Sequence, residues 1–206
     1  MSCVTEDSAG NLYVGTMNNG LYMIDHNKKW LNYFPKKDIT CIYEDSKKSI
    51  WVGTKDDGLF RLDRNGGITN YGTAPHQNML SSSYVRCVVE DNLGNYWIGT
   101  FKGLDKLDVT TGTFTHYSKD NKPYSLSNSS IICMMKDRQG TFWIGTYYGG
   151  VNLFNPDYEI YTYYYPDESQ KGKLTSPFAG RMTEDSNGGI WIATEGGGVN
   201  YLDKKT

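Results

Sequence analysis

The sequence EDNLGNYWIGT at residues 90–100 recurs in recognisable form five times along the chain. In each copy an aspartate is followed six residues later by an aromatic residue, then by Val or Ile, by Gly or Ala, and by Thr. The aspartates are Asp7, Asp45, Asp91, Asp137 and Asp185, so the copies are 38, 46, 46 and 48 residues apart. This period is too long for a leucine-rich repeat and matches the roughly 40–50 residues of a four-stranded propeller blade.

Each repeat divides into four short apolar or aromatic runs separated by turn residues, which predicts four short strands. In the third repeat these runs are residues 85–90, 96–100, 104–107 and 114–117, and fourth strands are also predicted at 30–34, 68–71 and 160–165. No segment shows a sustained 3.6-residue period, so we expect an all-β fold with almost no helix. We expect one β-propeller domain or propeller fragment of mostly four-stranded antiparallel blades, with blades at about residues 1–37, 38–78, 79–126, 127–174 and 175–206.

The composition argues against several classes of protein. The 206 residues carry 21 Lys and Arg against 23 Asp and Glu, a net charge of −2, which does not favour a general nucleic-acid or anionic-membrane surface. No run of 18 apolar residues is present, and the first residues have neither the basic nor the apolar part of a signal peptide. We therefore expect no nucleic acid, no membrane contact and no cofactor for this segment.

The pattern Glu-Asp-x-x-Gly-x-Trp-Ile-Gly-Thr, followed by Gly-Leu and a closing Tyr, resembles the two-component regulator propeller repeat. The resemblance covers nearly the whole chain. It implies blades of a seven-bladed propeller in the sensor half of hybrid histidine kinases, a periplasmic location and the detection of oligosaccharides. With five repeats and neither a kinase nor a DNA-binding module, the chain is expected to be a piece of such a sensor or a truncated reading frame.

The acidic pairs and the tryptophans are predicted to be structural. Paired carboxylates suggest glycosidase chemistry, but a pair that recurs from repeat to repeat at the start of a hairpin, with Lys136 in place of the glutamate in the fourth copy, is more typical of a turn. The repeated aromatic residue is predicted to fill space between neighbouring sheets, and the residues concerned are Tyr13, Trp51, Trp97, Trp143 and Trp191. The glycines that follow, Gly53, Gly99 and Gly145, are predicted to allow close packing.

The cysteines and histidines give no sign of a catalytic or metal site. Cys3, Cys41, Cys87 and Cys133 occupy equivalent positions of successive repeats, where the separation is too large for a disulfide, so we expect four free thiols. We expect no metal cluster because no Cys-x-x-Cys pair is present. The three histidines, His26, His76 and His116, have no ligand spacing and no evident nucleophile partner.

The loops that join second to third strands are the predicted binding residues, because they vary while the scaffold repeats. They share one face with the long connections 72–84, 118–131 and 166–181. The candidate ligand-binding residues are Asn18, Asn19, Asp56, Asp57, Phe101, Lys102, Tyr147, Tyr148 and Glu195. The tyrosines and the phenylalanine would stack on sugar rings, and the polar side chains would bond hydroxyl groups. Two alternatives stay open: the loops are only solvated, or this face meets a neighbouring domain.

Three classes of function follow from these observations. The first is a non-enzymatic sensor that recognises a ligand, with oligosaccharide as the expected class. The second is a structural or protein-interaction propeller, and the third, ranked last, is a propeller lyase or glycosidase. The fifth repeat stops at a third strand, residues 199–202. Exposed apolar sheet faces would then favour self-association or docking of a partner segment, unless five blades close into a tightened ring.

Overall fold

The computed structural model describes residues 2–72, 78–120, 125–156, 160–166 and 173–204 of the 206-residue chain. The described residues form nineteen strands and no helix, as the absence of 3.6-residue periodicity predicts. The strands lie in five separate antiparallel sheets, and each sheet is a simple up-and-down meander of consecutive strands. The all-β prediction and the assignment of one sheet to each repeat are confirmed.

The first three sheets take up the first half of the sequence. Sheet 1 contains β1 (Cys3–Glu6), β2 (Leu12–Gly15), β3 (Leu21–Ile24) and β4 (Trp30–Tyr33). Sheet 2 contains β5 (Ile39–Glu44), β6 (Ile50–Thr54), β7 (Leu59–Leu62) and β8 (Ile68–Tyr71). Sheet 3 contains β9 (Val85–Glu90), β10 (Tyr96–Thr100), β11 (Leu104–Leu107) and β12 (Phe114–Tyr117).

The remaining two sheets follow the same order. Sheet 4 contains β13 (Ile131–Lys136), β14 (Phe142–Thr146), β15 (Gly150–Asn155) and β16 (Ile160–Tyr164). Sheet 5 contains β17 (Ala179–Glu184), β18 (Ile190–Thr194) and β19 (Gly198–Leu202), so within the described residues it has three strands. The predicted strand bounds agree with the structure to within one residue. No helix among the described residues is long and apolar enough to cross a membrane.

The strands group into two compact units. One consists of residues 1–100 and 105–115, and the other of residues 101–104 and 116–206. In the first unit, apolar side chains of sheets 1 and 2 form one buried cluster around Tyr13 and Ile50, and those of sheets 2 and 3 form another around Trp51 and Tyr96. In the second unit the cluster is centred on Trp143 and Ile190. The core therefore consists of the layers between successive sheets.

The aspartate that opens each repeat organises a hairpin turn. Asp91 Oδ1 accepts hydrogen bonds from the backbone N–H groups of Leu93 and Asn95, at 2.9 and 2.8 Å. Its Oδ2 accepts from Trp97 Nε1 at 3.0 Å. Asp45, Asp137 and Asp185 accept from Trp51, Trp143 and Trp191 in the same way. The interpretation of the acidic pairs as turn devices is confirmed for the aspartates, because their carboxylates are occupied by the hairpins that they close.

The glutamate of the pair connects neighbouring sheets. Ser46 donates its backbone N–H and its hydroxyl to Glu90, at 2.7 Å each. Ser8 bonds Glu44 in the same manner at 2.8 and 2.7 Å. In sheet 4 the N–H of Arg138 reaches Glu184 at 3.0 Å. We call these contacts the inter-sheet bonds, and each joins a β-turn of one sheet to the first strand of the next.

The tryptophans divide into buried and exposed members. Trp51 and Trp97 have no exposed surface and Trp143 is 2% exposed, which confirms that they are core residues. Trp191 is 44% exposed, so its assignment to the core was wrong. Trp191 lies on the same face of sheet 5 as exposed Tyr201, and the centroids of the two rings are 4.7 Å apart.

The cysteines and glycines of the repeat are close neighbours. A Cβ added at Gly53 would lie 2.5 Å from Cys41 Sγ, and one at Gly145 would lie 2.6 Å from Cys133 Sγ. The prediction that these glycines allow close packing is confirmed at both positions. None of the four cysteines forms a disulfide bond, and burial raises the pKa of Cys133 to about 12.

Candidate ligand-binding face

The candidate residues lie in the connections β2–β3, β6–β7, β10–β11, β14–β15 and β18–β19. The threonine that ends the conserved stretch of the repeat shapes these connections. Thr54 Oγ1 donates to the carbonyl of Gly58 at 2.7 Å, and Thr16 bonds Gly20 at the same distance. Thr146 and Thr194 bond Gly150 and Gly198 at 3.2 and 3.1 Å. The short loop is therefore closed at its base, which leaves its middle residues at the surface.

In the first unit the segment after β4 ties two candidate loops together. Lys37 Nζ forms an ion pair with Asp57 Oδ1 at 2.7 Å. The Asp38 carboxylate accepts from the N–H of Asn18 at 2.5 Å, and the Asp38 carbonyl accepts from the N–H of Lys55 at 3.1 Å. Lys37 and Asp38 were not predicted as site residues. Their position directly before β5 is the signal that could have found them, because the sheet-to-sheet connection lies beside the loops.

Asn19 and Asp56 are the other candidates in this unit, and both are exposed. The carbonyl of Asn19 accepts a hydrogen bond from the Asn32 side chain at 3.3 Å. The Asp57 carbonyl accepts the corresponding bond from Asn70 at 3.5 Å. The loop backbone is thus held by the fourth strand of its own sheet, and the side chains of Asn19 and Asp56 stay accessible to a ligand.

In the second unit three aromatic rings form a surface cluster. The ring centroid of Tyr147 is 4.5 Å from that of Tyr148 and 5.1 Å from that of Phe178, with edge-to-face geometry in both pairs. Tyr148 is 59% exposed and Tyr147 43%. Phe178 was missed by the sequence analysis because it lies in a long connection outside the repeated pattern. We call these three residues the aromatic cluster.

The aromatic cluster is adjacent to the last candidate loop. The carbonyl of Phe178 accepts a hydrogen bond from the N–H of Glu195 at 3.1 Å. The backbone of the exposed Glu195 therefore lies next to the backbone of Phe178. Tyr148 has a positive φ of 55°, a conformation uncommon for a bulky residue, which the tight β14–β15 turn imposes. The structure thus brings Tyr147, Tyr148 and Glu195 together.

Phe101 and Lys102 form the loop of sheet 3, which has one residue fewer between its Thr and Gly than the loop of sheet 2. Both are exposed, Phe101 by 52%. An exposed phenylalanine next to a lysine offers an apolar surface and a cation at one loop tip. Their use by a ligand stays a prediction.

A repeated polar triplet anchors the long connections. Ser81 bonds the Asp105 carboxylate through its N–H and hydroxyl, at 2.8 and 2.9 Å, and its hydroxyl is 3.1 Å from that of Thr100. Equivalent triplets are Ser127 with Thr146 and Asn152, and Thr175 with Thr194 and Asn200. The repeated Leu-Ser or Leu-Thr at 80–81, 126–127 and 174–175 is the sequence signal for this device, and the sequence analysis did not use it.

Parts of the predicted face lie outside the described residues. These are residues 73–77, 121–124 and 167–172 of the long connections, with His76 among them. Among the residues that the structure describes, no group of three or more His, Cys, Asp or Glu side chains is arranged to hold a metal ion.

Four segments of the chain match the family model "Two component regulator propeller", at residues 33–56, 79–102, 125–148 and 173–196. No curated protein matches the sequence. Each matched segment contains one copy of the repeated stretch that runs from the aspartate to the threonine, from the second copy to the fifth. They confirm the resemblance that the repeat pattern indicated.

Several solved structures share the fold. The extracellular domain of BT3049 from B. thetaiotaomicron, assigned to the hybrid two-component systems, is 24% identical with a TM-score of 0.78 over 98% of this chain. The chain spans 26% of that structure's length. The extracellular domain of BT4673 from the same organism is 19% identical with a TM-score of 0.58, over all of this chain and 36% of its own. Virginiamycin B lyase from Staphylococcus aureus is 14% identical with a TM-score of 0.71, over 98% and 69%.

Proposed function

Because four of its repeats match the model of the two-component regulator propeller family, we propose that this chain is a non-enzymatic sensor propeller that recognises oligosaccharide. The sensor-like character is supported by the likeness to extracellular domains of hybrid two-component systems. The same likeness favours an extracytoplasmic location, and the periplasm is our proposal for it.

The single observation that carries the ligand class is the aromatic cluster. The C–H face of a sugar ring is apolar and packs on the face of an aromatic side chain. Tyr147 and Tyr148 hold their rings at the surface, and both rings make edge-to-face contacts with Phe178. Glu195, whose backbone N–H bonds the carbonyl of Phe178, is exposed and its carboxylate is an acceptor for sugar hydroxyl groups.

The test is a glycan array with the purified chain, followed by calorimetry on the best ligand. We expect the double variant Tyr147→Ala, Tyr148→Ala to weaken binding by at least about tenfold, which is 1.4 kcal/mol. Trp30→Ala is the matched control, because Trp30 is an exposed aromatic residue on the outer strand β4. Equal losses in both variants, or no glycan retained by the folded chain, would contradict the proposal.

Protein docking is the second candidate. One face of sheet 5 exposes Trp191, Val199 and Tyr201, and clustered exposed apolar side chains are typical of interaction surfaces. The likeness to virginiamycin B lyase does not support an enzymatic function for this chain, because at 14% identity the two proteins share only the fold. A chain that binds no glycan and associates through sheet 5 would move the second candidate ahead of the first.

A further inference from the structure

Each sheet of the protein has two different faces. In sheet 2, Trp51 points to one face, and Glu44 and Ile50, which pair across β5 and β6, point to the other. We call these sides the tryptophan face and the glutamate face, and we use the same names for the equivalent sides of the other sheets. Successive residues of a strand point to opposite faces, so the repeat gives every sheet the same two sides.

The layers inside each unit join the tryptophan face of one sheet to the glutamate face of the next. Tyr13, at the tryptophan position of sheet 1, lies in one buried cluster with Ile50 of sheet 2. Trp143 of sheet 4 and Ile190 of sheet 5 share another cluster, and the layer between sheets 2 and 3 has the same arrangement. Every layer therefore combines one face of each kind.

Sheets 1 and 5 each expose one of these faces. Leu12 stands at the position of Ile50 and is 38% exposed, whereas the residue at this position of the other four sheets is at most 4% exposed. Trp191 is 44% exposed, whereas the aromatic residue at its position of the other sheets is at most 7% exposed. Sheet 1 thus presents a glutamate face, and sheet 5 presents a tryptophan face.

Both exposed faces carry further apolar side chains. Val4 lies on the same face as Leu12 and is 53% exposed. Val199 and Tyr201 lie on the same face as Trp191 and are 65% and 48% exposed. Clustered apolar side chains at the surface are typical of protein contacts.

The polar contact that joins successive sheets is present on these two faces as separate halves. Ser186 of sheet 5 stands at the position of the donor Ser46, and Glu6 of sheet 1 stands at the position of the acceptor Glu90. Both are exposed. Neither the N–H and hydroxyl of Ser186 nor the Glu6 carboxylate bonds any residue that the structure describes. Sheet 5 therefore offers the donor and sheet 1 the acceptor of one further inter-sheet bond.

We infer that copies of this chain associate head to tail, so that the tryptophan face of sheet 5 in one copy packs on the glutamate face of sheet 1 in the next. Trp191 lies against Leu12, and Ser186 donates to Glu6, as in the layers within each unit. A contact between two different surfaces leaves one of each free, so association continues to larger oligomers or closes in a ring of copies. The contact does not use the aromatic cluster and does not depend on oligosaccharide recognition.

The outer strands lie outside this contact. Ile68 on β8 stays 52% exposed, although the glutamate face of sheet 2 packs on sheet 1. Trp30 has the same position on β4 of sheet 1. We therefore expect Trp30 to remain exposed in the oligomer.

The test uses two variants that each block one surface, because a charge in an apolar contact is costly. Analytical ultracentrifugation at micromolar concentration should show oligomers for the unmodified chain and monomers for Trp191→Asp and Leu12→Asp alone. An equimolar mixture of the two variants should form a dimer that does not grow, since each variant supplies the surface that the other has lost. Leu93→Asp, which changes an exposed leucine in a turn of sheet 3, should associate like the unmodified chain.

The polar pair is tested in the mixed dimer. Ser186→Ala in the Leu12→Asp chain and Glu6→Ala in the Trp191→Asp chain should each raise the dissociation constant at least about threefold, because each removes a hydrogen bond to a charged group. Both changes together should weaken the dimer no more than Glu6→Ala does, since the acceptor is then already absent.

The proposal is overturned if the unmodified chain is a monomer, or if Leu12→Asp associates as the unmodified chain does, which would indicate a contact between two copies of sheet 5. It is also overturned if the mixture of folded variants does not dimerise, or if the losses from Ser186→Ala and Glu6→Ala are additive. Circular dichroism shows whether each variant folds. Val4→Asp and Tyr201→Asp block the same two faces and replace a variant that does not fold.

Discussion

The tryptophan that lies six residues after the repeated aspartate is buried in one repeat and exposed in another. Trp97 is fully buried and Trp191 is 44% exposed, although both donate an indole hydrogen bond to their aspartate. We expect Trp97→Ala to lower the free energy of unfolding by about 3–5 kcal/mol, the usual cost of removing a buried large aromatic residue. We expect Trp191→Ala to lower the free energy of unfolding by less than half of that amount. Urea denaturation measures both, and equal losses would show that sheet 5 is covered in solution.

Lys204 gives the second prediction for a single residue. Burial alone would raise the pKa of Asp137, but hydrogen bonds from Lys204, at 2.7 Å, and from Trp143 outweigh it and hold that pKa below its usual value of 3.8. A carboxylate with a lowered folded-state pKa stabilises the fold above its unfolded pKa, and this contribution is lost as the pH falls through the folded value.

Lys204→Met should therefore raise the pKa of Asp137 and move the midpoint of acid unfolding to higher pH. Lys204→Arg keeps a cation and serves as the control. Circular dichroism followed from neutral pH to pH 2 measures the midpoint. An unchanged midpoint in Lys204→Met would mean that the ion pair does not form in solution.

Among the elements, the β-hairpin is the unit whose stability rests on one side chain. Asp91→Ala leaves the N–H groups of Leu93, Asn95 and Trp97 without their acceptor, and each unsatisfied buried donor costs about 1–3 kcal/mol. Asp63→Ala is the matched control, because Asp63 accepts two backbone bonds in an exposed hairpin. Urea denaturation should show a clearly larger loss for Asp91→Ala, and similar losses would contradict the role of burial.

At the same scale, the sequence predicted strands and turns well and the loop contacts poorly. The strands follow from a pattern that is repeated every 38 to 48 residues, so each copy supports the others. Phe178 was missed because its partners are distant in sequence and it lies outside the repeated pattern. Ser81 and Lys37 were missed because their sequence signals, a repeated Leu-Ser or Leu-Thr and a position directly before β5, were not used. Trp191 was misplaced because the repeat specifies the residue but not whether another sheet covers it.

For the whole molecule, the exposed face of sheet 5 predicts association. Trp191, Val199 and Tyr201 together offer an apolar surface, and burial of apolar area is the main driving force of protein contacts. We expect light scattering to show that the chain self-associates at micromolar concentration and that Trp191→Ser lowers the associated fraction. Trp30→Ser changes an exposed tryptophan on another sheet and should have no such effect. A compact monomer at these concentrations would favour the closed five-bladed ring instead.

The inter-sheet bonds have a direction, since the turn always donates and the first strand of the following sheet always accepts. A repeat that has both the donating turn and the glutamate, such as the one with Ser46 and Glu44, therefore carries one half of a contact at each side. The fourth repeat has Lys136 at the glutamate position and lacks the accepting half. Tandem duplication of a repeat with both halves would create one new junction, between the two copies, that is already matched without compensating mutations in the flanking repeats.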